Sequence, residues 1–89
     1  MRVEDFVFDK REHNEQYDDY WFDVVGASAK ELTDEYMEQS MVGVTSVVYS
    51  VTDGVLGVRR QFPFNYDVIT PNNPELKDII KSIVEEMRS

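Results

Sequence analysis

Glu12, Glu15, Asp18, Asp19 and Asp23 place five carboxylates within twelve residues, with Tyr17, Tyr20 and Trp21 between them. Carboxylates at this density fit three kinds of chemistry. They can ligate a hard cation, form an acid–base pair, or supply charge to a basic partner. The cation reading needs oxygen ligands at regular spacing around a tight turn. Here the spacing differs from an EF-hand loop and the mid-loop glycine is absent, so a solvated acidic face accounts better for the cluster. The acid–base reading needs two carboxylates set apart by geometry, and 18 acidic residues single out no pair.

Other catalytic equipment is sparse. The chain has no cysteine, which excludes thiol nucleophiles, disulfides and thiolate metal sites. His13 is the only histidine and lies in a charged stretch without an orienting partner nearby in sequence, as expected of a solvated loop residue. No serine occupies a strand–serine–helix elbow, and Gly43, Gly54 and Gly57 form no phosphate-binding pattern. The sequence therefore predicts a non-enzymatic protein with no cofactor and no metal.

Charge is the most informative functional feature. The 89 residues carry a formal net charge of −9, and the first 40 hold 12 acids against 4 bases. A balance of this sign argues against direct contact with nucleic acid, which calls for a basic surface. No apolar run is long enough to span a bilayer, so no membrane contact is expected. Glu12, Glu15, Asp18, Asp19 and Asp23, followed by Asp34, Glu35 and Glu38, are interleaved with Tyr17, Trp21 and Tyr36. Carboxylates steer a protein towards a basic partner, and aromatic rings anchor it at low entropic cost.

The predicted function is a small acidic inhibitor or antitoxin-like protein. Its carboxylates would dock on the basic surface of a nucleic-acid-processing protein, with Trp21 and Tyr17 as anchors. Simple solubility is the competing explanation of the acidity. A second functional reading is a self-associating structural or adaptor protein, a homodimer formed through Val48 and Val55 of an apolar hairpin. Arg59 and Arg60 form a basic pair able to hold an anion, or else a solvent-facing Arg59 beside an Arg60 whose stem lies over apolar groups. The lack of cysteine, and an N-terminus without a long apolar segment, lead to the expectation of a cytoplasmic protein.

The elements that must position these residues follow from periodicity. Residues 3–8 (VEDFVF) read as a strand, and the apolar-free stretch 9–16 as a loop. In the strand 17–25, Tyr20, Phe22 and Val24 share a core face, while Asp19, Trp21 and Asp23 share the other, facing water. Gly26 breaks that strand. Ser28 and Glu31 read as a capping box opening a helix to Ser40 or Met41, with Ala29, Leu32, Tyr36 and Ser40 on its apolar stripe.

Residues 44–62 predict a hairpin about a two-residue Asp53-Gly54 turn. That turn pairs Val51 with Leu56, Tyr49 with Val58, Val47 with Arg60 and Thr45 with Phe62, and leaves Val44 on the opposite, mostly polar face. Pro63 ends the hairpin, with Phe62, Phe64 and Tyr66 capping the core. Asn73 and Pro74 open a last helix whose Leu76, Ile79, Ile80, Ile83, Val84 and Met87 share one face. The result is a single α+β domain over 1–89: a four-stranded, mainly antiparallel sheet, two helices on one face, and the order β-β-α-β-β-α.

Overall fold

The computed structural model describes all residues, Met1–Ser89. Its sheet has five strands, β1 (Phe6–His13), β2 (Asp18–Val24), β3 (Gly43–Ser50), β4 (Val55–Gln61) and β5 (Tyr66–Ile69), in the order β1-β2-β3-β4-β5. Every pairing is antiparallel. Helix α1 (Gly26–Glu35) joins β2 to β3, and α2 (Pro74–Arg88) ends the chain. The architecture is α+β, with the order β-β-α-β-β-β-α rather than the predicted order with four strands.

The fifth strand arises where a core cap was expected. A turn over 62–65, closed by the Phe62 amide on the Asn65 carbonyl at 2.8 Å, returns the chain so that Tyr66–Ile69 pair with β4. Phe64 at the tip is fully exposed instead of covering the core, and Tyr66 falls on the outer face of the sheet. At the other edge, Val3–Asp5 form a single 3-10 turn, and the strand runs through the charged residues to His13. The stretch 9–16 is therefore mostly strand, with a bulge at Asp9 and a tight turn after His13 in which Asn14 Oδ1 accepts from the amides of Gln16 and Tyr17.

The core lies on one face of this sheet. Phe22, Val47, Val58, Leu32, Leu76 and Ile80 are fully buried and belong to one cluster, so both helices cover the same side. In α2, Asn73 Oδ1 accepts from the Leu76 amide at 3.0 Å and Pro74 opens the helix, as its sequence predicts. Leu76, Ile80 and Val84 are its buried stripe, while Met87 remains exposed.

Helix α1 departs from prediction at both ends. The Ser28–Glu31 capping box does not form. Ser28 sits inside the first turn, where the Asp5 carboxylate accepts from its amide at 3.1 Å and its own hydroxyl accepts from the Arg2 amide at 3.0 Å. The helix is thus capped from another element, and Ser28, through its hydroxyl and its amide, holds the Asp5 carboxyl below the usual range. It stops at Glu35, where the backbone leaves helical geometry at Tyr36, short of Ser40.

The β3–β4 hairpin keeps its predicted faces but not its register. Ser50 pairs with Val55, Tyr49 with Leu56 and Val47 with Val58, around a four-residue turn over 51–54 that ends in Gly54 at φ +66°. A bulge at Thr45 then brings Val44, predicted on the polar face, into the core beside Arg60.

Candidate functional site on the open face of the sheet

The helices cover one side of the sheet and leave the other bare. Strand alternation puts Lys10 and Glu12 of β1, Asp19, Trp21 and Asp23 of β2, Ser46 and Val48 of β3, Gly57 and Arg59 of β4, and Tyr66 and Val68 of β5 on this open face. Glu12 stands opposite Asp19, and Lys10 opposite Trp21. Across the next pairing Asp23 stands opposite Ser46, and across the one after that Ser46 stands opposite Arg59.

Two hollows divide the face. The polar one, about 390 Å³, is lined by Glu12, Trp21, Asp23, Ser46, Arg59 and Tyr66 among others. Two cations lie over its rings: Lys10 Nζ is 5.9 Å from the centre of the indole, and the Arg59 guanidinium is 4.1 Å from that of Tyr66. The apolar one, about 380 Å³, lies between Tyr17, Val48, Val55 and Val68. Its floor is Gly57, where an added Cβ would stand 2.8 Å from a methyl of Val68 and 2.9 Å from one of Val48.

The structure sorts the predicted partner-binding residues into three groups. Glu12, Tyr17, Asp19, Trp21 and Asp23 come together on the open face. Asp19 and Asp23 have no ion-pair partner there, while Glu12 meets Lys10 at 3.6 Å. Glu15 stands at the exposed β1–β2 turn, at one end of this group.

Asp18, Asp34, Glu35 and Glu38 do not belong with them. Asp18 points to the helix side, where Arg11 grips it in bidentate fashion at 2.7 and 2.9 Å and Arg88 of α2 adds a bond at 2.8 Å. The Arg11 hydrogen bonds, followed by those of Arg88, lower the Asp18 carboxyl below its ordinary range. Asp34 meets Lys30 at 2.9 Å, Glu35 accepts from the Asn73 amide group at 2.9 Å, and Glu38 lies 3.5 Å from Arg60. These acids are engaged within the fold. Tyr20 and Tyr36 likewise pack in or against the core and are not available as surface anchors.

The basic pair separates as strand alternation requires. Arg60 faces the core side, 9% exposed, with its fork on Asp67 at 2.9 and 2.6 Å and a further bond to the Tyr36 carbonyl. The hydrogen bonds from Arg60 hold the Asp67 carboxyl below its ordinary range. Arg59 lies on the open face, half-buried rather than in free solvent. Arg59 entered the sequence reading only as half of a basic pair able to hold an anion, and Ser46, Tyr66 and Val68 were left out of it. The polar alternation of β3 and β4 pointed towards Ser46 and Arg59, and only the fifth strand brings in Tyr66 and Val68. No group of three or more histidine or carboxylate side chains converges as a metal site would require. No helix is long and apolar enough to cross a membrane. Comparison with protein-family models, curated proteins and solved structures gives no match.

Proposed function

We propose that the chain is a non-catalytic protein-binding module that docks the open face of its sheet on a basic polypeptide surface. The observation that carries this reading is the placement of Glu12, Asp19 and Asp23 around the single tryptophan, on the side of the sheet that neither helix covers. Carboxylates on such a face, Asp19 and Asp23 unpaired among them, supply steering, and Trp21 with Tyr17 supplies the anchors. In its concrete form the protein is a small inhibitor, antitoxin-like, that occupies the basic groove of a nucleic-acid-processing partner. Asp18, Asp34, Glu35 and Glu38 contribute to its field but not to its contact surface.

The test compares two immobilised baits, wild type and Asp19→Lys/Asp23→Lys, in lysate of the native host at low and high salt. The expected result is a basic, nucleic-acid-binding partner retained by wild type at low salt and lost in both other conditions. With that partner purified, Trp21→Ala should weaken binding by about 2 kcal/mol. Retention of the same proteins by both baits refutes the reading.

The exposed Val55 and Val68 beside Val48 favour a second reading, a homodimer through this face. Apposing two copies would, however, bring both sets of unpaired acids together, which disfavours it. A concentration-dependent dimer in sedimentation, broken by Val68→Lys, would establish it instead.

A further inference from the structure

Three residues that line the polar hollow each carry a polar atom with no hydrogen-bond partner. Trp21 Nε1, Ser46 Oγ and Arg59 Nε are closed off from water, and none has a hydrogen-bond partner. Ser46 is only 5% exposed, stands opposite Arg59, and lines the same hollow as Trp21. The indole and guanidine N–H groups only donate, and the hydroxyl can donate as well. Buried polar groups are almost always partnered, so three such residues around one hollow mark a place where an acceptor is missing.

Arg59 adds charge to that demand. Arg2, Arg11, Arg60 and Arg88 each have a carboxylate within ion-pair distance, and Arg59 has none, in a chain with 18 acids. Asp23 lines the same hollow yet stays exposed and makes no ion pair with it. The Tyr66 ring at 4.1 Å braces the guanidinium, leaving it held and unpaired.

We infer that the Arg59 guanidinium, backed by Trp21 and Ser46, forms a carboxylate subsite, filled by a Glu or Asp side chain of the partner polypeptide. A planar, singly charged acceptor matches the guanidinium fork. The surroundings specify how it arrives. Asp9, Glu12 and Asp23 line the hollow, and the chain carries a net charge of −9, so a free anion or a dianionic phosphate is repelled. A carboxylate delivered between lysines is not, because its flanking cations meet those acids. The subsite thus rests on the protein-binding reading and sets the register of the docked segment: an acid on Arg59 with bases beside it.

The lone tryptophan makes the test direct, since its indole N–H gives one resonance located in the subsite. The probes are two blocked pentapeptides, Lys-Gly-Glu-Gly-Lys and Lys-Gly-Gln-Gly-Lys, titrated to millimolar concentration into 15N-labelled protein. The Glu peptide should move the indole resonance saturably and bind about tenfold tighter than the Gln peptide, a difference of about 1.4 kcal/mol. Arg59→Gln should level the two, and Arg59→Lys should leave an intermediate preference, with unchanged amide spectra elsewhere showing that both variants fold. Equal binding of both peptides to wild type, weakened by Asp19→Asn/Asp23→Asn, overturns the subsite and leaves the acidic docking face standing. An indole resonance that neither peptide moves overturns the subsite, while the docking face is judged separately by the charge-reversed bait.

Discussion

Asp18 and Asp19 are adjacent acids with opposite duties, and Asn substitution separates them. Asp18 accepts three hydrogen bonds from two guanidiniums and ties β1, β2 and the last turn of α2 together. Its side chain is 18% exposed, against 41% for Arg11 and 42% for Arg88. Hydrogen bonds to charged groups contribute about 1.5–3 kcal/mol when desolvated, and exposed ion pairs about 0.2–1 kcal/mol. With both guanidiniums two-fifths open to water, the estimate belongs near the lower range, about 1–1.5 kcal/mol for Asp18→Asn. The new amide also turns an N–H towards a guanidinium. Asp19, unpaired on the open face, should change stability by less than about 0.5 kcal/mol when made Asn.

Urea denaturation measures the difference. At a slope of about 1 kcal/mol per molar for so small a domain, Asp18→Asn lowers the midpoint by about 1–1.5 M, and Asp19→Asn leaves it in place. The pH dependence carries a sign. The folded Asp18 carboxyl lies below its unfolded value, so its contribution is complete above the unfolded pKa, near 4, and is lost as the pH falls through the folded value. The gap between wild type and Asp18→Asn should therefore be constant from pH 7 to about 5 and close as the solution is acidified further. Equal midpoints for the two variants at pH 7 would refute the assignment of Asp18 to structure and Asp19 to the surface.

Two further substitutions probe the elements that hold the site. Asn73→Ala removes the side-chain acceptor for the Leu76 amide and should cost about 1 kcal/mol, read as a fall in Tm of several degrees, whereas Asn73→Gly should cost only a few tenths. Gly26→Ala places a side chain at φ +64° and a Cβ 3.2 Å from Oδ1 of Asp5, the residue whose Oδ2 caps α1, so it should destabilise by about 1–2 kcal/mol; a neutral result by thermal melting would contradict that geometry.

Helix α2 was legible because every signal on it agrees: the Asn73-Pro74 start, an apolar period of 3.6, and no competing partner for the cap. The core faces of β2, β3 and β4 were legible for a similar reason, since alternation alone assigns Phe22, Val47, Tyr49, Leu56 and Val58. Register was not. A slip of one residue inverts the faces, but a change of two leaves them intact, so the pattern could not choose between the predicted and observed pairings. Asp53-Gly54 marks the turn correctly yet occupies its last two positions. The bulge at Thr45, which carries Val44 inward, has no signature in its neighbours. β1 was half hidden because an edge strand beyond Phe8 buries nothing, and its charged residues resemble a loop. The Ser28–Glu31 box lost to Asp5, 23 residues earlier, a tertiary contact outside local pattern. In the site, alternation found Asp19, Trp21 and Asp23 together. Asp18, Asp34, Glu35 and Glu38 were misplaced because their guanidinium, ammonium and amide partners come from the paired strand β1, from β4, from α2 and its cap, or from the preceding turn of helix.

The meander also dictates how the chain gathers itself. Three pairings close short turns over 14–17, 51–54 and 62–65, whereas β2 and β3 are separated by 25–42. Closing that longer segment costs about 1.3 kcal/mol more than a four-residue turn. The topology thus favours two preassembled units, a β1–β2 hairpin and a β3–β4–β5 sheet, which meet along a single seam. Trp21 and Asp23 belong to one unit, and Ser46, Arg59 and Tyr66 to the other. The hollow straddles that seam, so neither half can present it alone, and its completion reports that the whole domain has assembled.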